Sequence, residues 1–273
     1  MKTLYLSDLD GTLLRSDEKL SPFTVDTIHA LTRKGMLFSY ATARSFVTAS
    51  KVTKGLTAKI PAIVYNGTMV IDSASGAVLY ARFFSEKEKR EIGNFLLDRK
   101  IYPIVYAYID GVEKFSYIPG YISKGARTFL KSREGDARQH PVSTVQQLLQ
   151  GDVFYFSCIH EAAILAPLYQ HLGDTYRCLF QKDFYSAEQW LEIMPHGISK
   201  ANAAARLKEQ LQVDRLVVFG DGENDRDLFA LADEAYAVEN AVESLKQAAT
   251  AVIGSNDADG VAKWLAQNFE ESK

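Results

Sequence analysis

Two cysteines, Cys158 and Cys178, are all that the 273 residues contain. Both lie among apolar neighbours, in FYFSCI and YRCLF, so they read as buried free thiols ahead of a disulfide and are too few for a zinc site. The five histidines (His29, His140, His160, His171 and His196) are scattered, with no pair at metal-ligand spacing. An excess of one charge is missing too: 31 Lys and Arg face 34 Asp and Glu, a formal net charge of -3, with no basic block or stripe. That argues against nucleic acid as a partner. No apolar run approaches the roughly 20 residues needed to span a bilayer, and the amino terminus opens on a short strand instead of a signal-peptide core. A cytoplasmic protein without a membrane partner is expected. Repeats and low-complexity segments are absent, and no obligatory protein partner is indicated.

What is there is an ordinary globular composition, 47% hydrophobic and 24% charged, enough for one large domain or two smaller ones. LYLSDLDGTLL, residues 4–14, puts a core strand (Leu4, Tyr5, Leu6) before a turn at Gly11 and Thr12. Thr24, Ile28 and Leu31 fall on helical spacing between a Ser21-Pro22 start and a Gly35 stop. With MLFSYATARS as the next strand, the opening predicts a right-handed parallel unit. AIVYNG adds an apolar run closed by Asn66-Gly67, a hairpin-turn pair for which a contact to substrate is weighed alongside. MVIDSASGAVLYARFF predicts a hairpin around Ser75-Gly76.

From SEKEKREIGNFLLDRK the character changes. Ser85 and Glu88 form a capping-box pattern, IYPIVYAYIDGVEKFSYI reads as two strands around Asp110-Gly111, and DVFYFSCIH, EAAILAPLYQHLG, TYRCLFQ and SAEQWLEIM follow as strand, helix and a final strand pair. Tyr106, Tyr108, Phe115 and Tyr117 alternate as a packed strand face would, and Arg127, Lys131 and Arg133 read as a solvated helix face ahead of an anion contact. Long helices and short apolar strands resume at GISKANAAARLKEQLQV and continue through RLVVFGDGEND and AVI. The expected fold is α/β: a doubly wound, Rossmann-like parallel-sheet core (residues 1–81 and 188–273) interrupted by an α+β domain over 82–187.

Polar residues recur where strands end or helices begin: Asp8 and Asp10, Thr42, Ser199-Lys200, and GDGEND at 220–225. In an open parallel sheet the carboxyl ends of the strands line one crevice, which could gather Asp8, Thr42 and Asp221. Strand alternation would project Asp8 and Asp10 together. So many carboxylates at close range raise one another's pKa unless a cation stands among them, and oxygen-only ligands suit Mg2+.

DLDGT, the strand end at Thr42, Lys200 and GDGEND resemble, in order and spacing, the four motifs of the haloacid dehalogenase superfamily of phosphohydrolases. The large insert, with NG at 66, ISK, VENAVESLKQAATAVI and SNDADGVAKWL, is similar to the Cof-type branch, whose members dephosphorylate sugar phosphates and other small metabolites. The insert would be the cap. One departure is Ala43, where the branch commonly has glycine.

The resemblance implies that Asp8 attacks phosphorus to form an aspartyl phosphate and that Asp10 serves as general acid and base. Mg2+ would be held by the Asp8 and Asp221 carboxylates and the Asp10 carbonyl. Thr42 and the amides around Leu9 and Ala43 would hydrogen-bond the phosphoryl group, Lys200 would neutralise it, Asn224 would contact phosphate or metal, and Asp225 would steady Lys200 or a metal-bound water. The implied activity is Mg2+-dependent hydrolysis of small phosphate monoesters, sugar phosphates foremost. A phosphomutase or phosphotransferase using the same intermediate, and a non-enzymatic metabolite- or protein-binding module, are the alternatives.

Overall fold

The computed structural model describes residues 1–56, 60–182 and 188–269. The chain divides into two units, one made of Met1–Ala81 with Ile198–Lys273 and the other of Arg82–Gly197. The first unit opens with β1 (Thr3–Ser7), α1 (Pro22–Arg33), β2 (Leu37–Tyr40), α2 (Phe46–Val52), β3 (Ala62–Val64), β4 (Met69–Ile71) and β5 (Val78–Ala81). Local chemistry sets these bounds. Ser21 caps α1 by accepting the Thr24 amide at 3.0 Å, with Pro22 at the first helical position. β3, β4 and β5 form an antiparallel sheet, and Gly76 (φ 75°) turns between the last two.

The second unit contains α3 (Glu86–Leu97), β6 (Ile104–Ile109), β7 (Val112–Tyr117), α4 (Lys124–Ser132), β8 (Gln139–Pro141), α5 (Val145–Leu148), β9 (Asp152–Ile159), α6 (Ala162–Gly173), β10 (Arg177–Lys182) and β11 (Gln189–Met194). Its six strands run in the order β10-β11-β9-β6-β7-β8. Ser85 and Glu88 close the capping box on α3, and Asp110 (φ 51°) with Gly111 (φ 76°) makes the two-residue turn between β6 and β7. Tyr106 and Phe115 are buried, with ring centroids 5.7 Å apart, while Arg127 and Lys131 are exposed. Cys158 and Cys178 are free and buried, and burial pushes the Cys178 thiol up to about 12. The unit runs to Gly197, past the boundary expected at 187, because β11 pairs with both β9 and β10. Ser186 and Ala187, the expected start of that strand, lie outside the described residues.

The chain returns to the first unit with α7 (Lys200–Gln210), β12 (Arg215–Gly220), α8 (Arg226–Leu231), β13 (Glu234–Val238), α9 (Glu243–Ala248), β14 (Ala251–Ile253) and α10 (Gly260–Asn268). A five-stranded parallel sheet runs β14-β13-β12-β1-β2, so the strand order reverses between β1 and β12. Such a reversal opens the crevice where doubly wound folds bind ligands. Trp264 on α10 packs against Phe219 and Tyr236, with ring centroids 5.2 and 4.3 Å away. Among the described residues no helix is long and apolar enough to cross a membrane.

Candidate active site

Parallel pairing of Ser7 with Phe219 brings the ends of β1 and β12 side by side, and the Asp8 amide donates to the Phe219 carbonyl at 2.9 Å. β2 joins them, the Ala41 amide donating to Ser7 O at 2.9 Å. Asp8, Thr42 and Asp221 thus follow three neighbouring strands. Lys200 opens α7, capped by Ser199, whose hydroxyl accepts the Asn202 amide at 3.1 Å.

Lys200 is 1% exposed, and its Nζ lies 2.5 Å from Asp8 Oδ1 and 2.7 Å from Asp225 Oδ1. Burial would strip its proton, but Asp225 and Asp8 outweigh burial and hold the ammonium charged. Asp225 Oδ2 accepts the amides of Asp221 (3.1 Å) and Gly222 (3.2 Å). A Cβ at Gly220 would stand 2.7 Å from that oxygen, so glycine is what lets Asp225 reach the backbone. With one oxygen on a lysine and the other on two amides, Asp225 is a support for Lys200, and its oxygens are already engaged.

Burial, and then the neighbouring acids, push Asp8 well above the carboxylate range against the pull of Lys200. Asp221 is pushed up to about 7, by burial first and then by Asp225, while the Thr12 hydroxyl donates to its Oδ1 at 3.0 Å. Asp8, Asp221 and Asp225 can each present an oxygen within 4.8 Å of the others. With both Asp225 oxygens already holding Lys200 and the backbone, Asp8 and Asp221 are the pair whose raised pKa values a divalent cation would relieve, and two hard carboxylates suit Mg2+.

Asp10 departs from the strand-alternation expectation. β1 ends at Ser7, and Asp10 lies in the turn that follows, with φ -73° and ψ 123°. Its carboxylate is gripped by Arg44, with Nε at 3.0 and 2.8 Å from the two oxygens and Nη2 at 2.5 Å from Oδ1. Arg44 Nη2 also donates to Glu18 at 2.7 Å. Neither Arg44 nor Glu18 stands out in the sequence. Arg44 comes two residues after Thr42, yet nothing local pairs it with a carboxylate 34 positions earlier.

Thr42 is buried, and its hydroxyl accepts the Arg44 amide at 3.1 Å. Ala43 is not among the residues with positive φ, so the backbone there has no need of the glycine that the resemblance leads one to expect. Leu9 is buried and opens the turn after Asp8. Tyr65 (φ 50°), Asn66 (φ 53°) and Gly67 (φ 95°) are all left-handed, so the β3–β4 turn begins one residue before the expected Asn66-Gly67 pair. Asn66 is 3% exposed and accepts from Asn224 Nδ2 at 3.1 Å, which joins two sequence-selected residues to each other.

The family model of the haloacid dehalogenase-like hydrolases matches residues 5–265. Two Bacillus subtilis proteins named 5-amino-6-(5-phospho-D-ribitylamino)uracil phosphatase are similar over nearly the whole length. YwtE is 26% identical, with 95% of this chain and 96% of that protein aligned. YitU is 23% identical, with 96% of each aligned. Among solved structures, a Thermotoga maritima protein superimposes with a TM-score of 0.80 at 24% identity, covering 100% of this chain and 99% of the other. A haloacid dehalogenase-like hydrolase from Bacteroides thetaiotaomicron gives 0.81 at 21% identity, covering 98% and 100%.

Proposed function

Because the chain belongs to the haloacid dehalogenase-like hydrolases, we propose that it is a Mg2+-dependent phosphatase of small phosphorylated metabolites, sugar phosphates foremost, acting through an aspartyl phosphate. The observation that carries this reading is the buried Asp8–Lys200–Asp225 chain of ion pairs beside Asp221. The two Bacillus relatives are named for a ribityl phosphate ester, an open-chain sugar derivative, which supports the substrate class.

In this mechanism an Asp8 oxygen attacks phosphorus, the bond from phosphorus to the leaving oxygen breaks, and Asp10 gives that oxygen a proton. Water then attacks the aspartyl phosphate, Asp10 takes a proton back, and phosphate leaves with Asp8 restored. Thr42 and the amides of Leu9 and Ala43 hydrogen-bond the phosphoryl oxygens, and Lys200, fixed by Asp225, neutralises them. Asn224, which donates to Asn66, contacts phosphate or metal. Mg2+, held by the Asp8 and Asp221 carboxylates and the Asp10 carbonyl, would offset phosphoryl charge and favour ionised Asp8.

The test is phosphate release from a panel of sugar phosphates, nucleotides and phosphorylated cofactors, with Mg2+ or a chelator, beside Asp8→Asn. Release that needs the metal and disappears in a folded Asp8→Asn protein is expected. Full activity in that variant would remove Asp8 as the nucleophile.

A further inference from the structure

Two asparagines far along the chain grip the turn that follows the nucleophile. The turn is closed by the Leu14 amide donating to Leu9 O at 2.8 Å, and it carries Asp10 extended and Gly11 left-handed, at φ 73°. Two of its carbonyls take side-chain donors. Asn240 Nδ2 donates to Gly11 O at 2.7 Å, and Asn256 Nδ2 donates to Leu14 O at 3.0 Å. The Asn256 backbone amide in turn donates to Asn240 Oδ1 at 3.0 Å, so the two residues form one connected bracket across the turn. Asn256 is 3% exposed, and a buried amide that satisfies a backbone carbonyl is costly to remove.

The grip continues along the chain. Arg15 pairs with Asp259, its Nε and Nη2 at 3.0 and 2.6 Å, and the Ser16 amide and hydroxyl both donate to Asp257 at 2.8 Å. The loop that supplies these partners is itself pinched shut, since a Cβ at Gly260 would overlap the Gly254 carbonyl. On the opposite flank the Thr12 hydroxyl is tied to Asp221. Asp10 therefore rides on a segment whose backbone is fixed at Gly11 and Leu14 by residues more than two hundred positions away.

We propose that Asn240 and Asn256 are positioning residues for Asp10: their bracket on the Gly11 and Leu14 carbonyls sets where Asp10 delivers its proton. The inference rests on the reading of Asp10 as the general acid. A proton donor matters most when the leaving group is a poor one. An alkoxide must be protonated as it departs, whereas p-nitrophenolate leaves unaided, so a displaced Asp10 slows the alkyl ester selectively. A general loss of folding or of phosphate binding would slow both esters together.

The experiment measures kcat and KM for p-nitrophenyl phosphate and for the best alkyl phosphate of the panel, in wild type, Asn256→Ala, Asn240→Ala and Asn240→Asp, with thermal unfolding of each. Asn240 is exposed, so its variants carry the test if Asn256→Ala does not fold. Asn240→Asp keeps the acceptor for the Asn256 backbone amide but sets a carboxylate oxygen against the Gly11 carbonyl in place of the donor, a stronger disturbance of the turn than Asn240→Ala. The expected result is a fall in kcat of about tenfold or more on the alkyl ester against less than about threefold on the aryl ester, part of the roughly 100- to 10000-fold that general acid catalysis supplies. Folded variants that slow both esters equally, or neither, overturn the inference and leave the phosphatase reading standing. A wild type that releases phosphate from neither ester overturns that reading, and this inference falls with it.

Discussion

Gly67 sits directly against the carbonyl of Ser199. A Cβ there would overlap the Ser199 carbonyl and stand 3.0 Å from the Lys200 backbone nitrogen, and the backbone φ of 95° already disfavours any side chain. The left-handed turn at 65–67 is therefore the seat on which the first turn of α7 rests, and α7 places Lys200 against Asp8.

Gly67→Ala is expected to cost about 2–4 kcal/mol, combining overpacking with left-handed strain. Phosphate release should fall with it, because Ser199 must retreat and carry Lys200 along. Urea unfolding and turnover measured on the same preparation check this. Unchanged stability would show that the two backbones separate freely.

Arg44→Lys should leave the protein folded and lower kcat about tenfold, since a point charge cannot span Asp10 and Glu18 as the guanidinium does. Burial works against the Arg44 charge, but the hydrogen bonds it donates to Asp10 and Glu18, with their negative charges, outweigh it, so the arginine stays ionised at any working pH. Steady-state kinetics beside Arg44→Ala decide the point. A lysine variant with wild-type kcat would show that one charge suffices.

The Asp221 carboxyl stands at about 7 in the folded protein without metal, against an ordinary value near 4. Between those values the folded state keeps a proton on Asp221 that the unfolded chain has lost, so the contribution of Asp221 to metal-free stability should decline as pH rises from about 4 to about 7. On the proposed reading Mg2+ would compete with that proton. Its increase in Tm should be small at about pH 5.5 and larger at about pH 7.5, and Asp221→Asn should flatten the difference. Thermal unfolding with Mg2+ or a chelator across this range measures it, and a pH-independent shift would count against Asp221 as a ligand.

Elements whose bounds rest on neighbouring residues are legible in the sequence alone. Ser21-Pro22 starts α1, Ser85 and Glu88 cap α3, and Asp110-Gly111 turns β6 into β7, each through contacts within three or four positions. The resemblance carried by DLDGT, Thr42, Lys200 and GDGEND reaches the family by the same route, because short motifs at strand ends are contiguous in the chain. The end of the second unit is not legible in this way, since β11 belongs to its sheet through pairing with β9 and β10 and not through its own composition.

By itself the sequence determined the alternation of strands and helices, the α/β class and the set of acidic and basic groups at strand ends, because periodicity, caps and turn residues act over a few positions. Only the tertiary structure decided which of those groups meet. Asp10 turns to Arg44 because β1 ends at Ser7, Asp225 spends both its oxygens on Lys200 and two amides, and Asn240 and Asn256 find Gly11 and Leu14. Those pairings depend on where a twisted parallel sheet sets its strand ends in space, and no stretch of the chain encodes that alone.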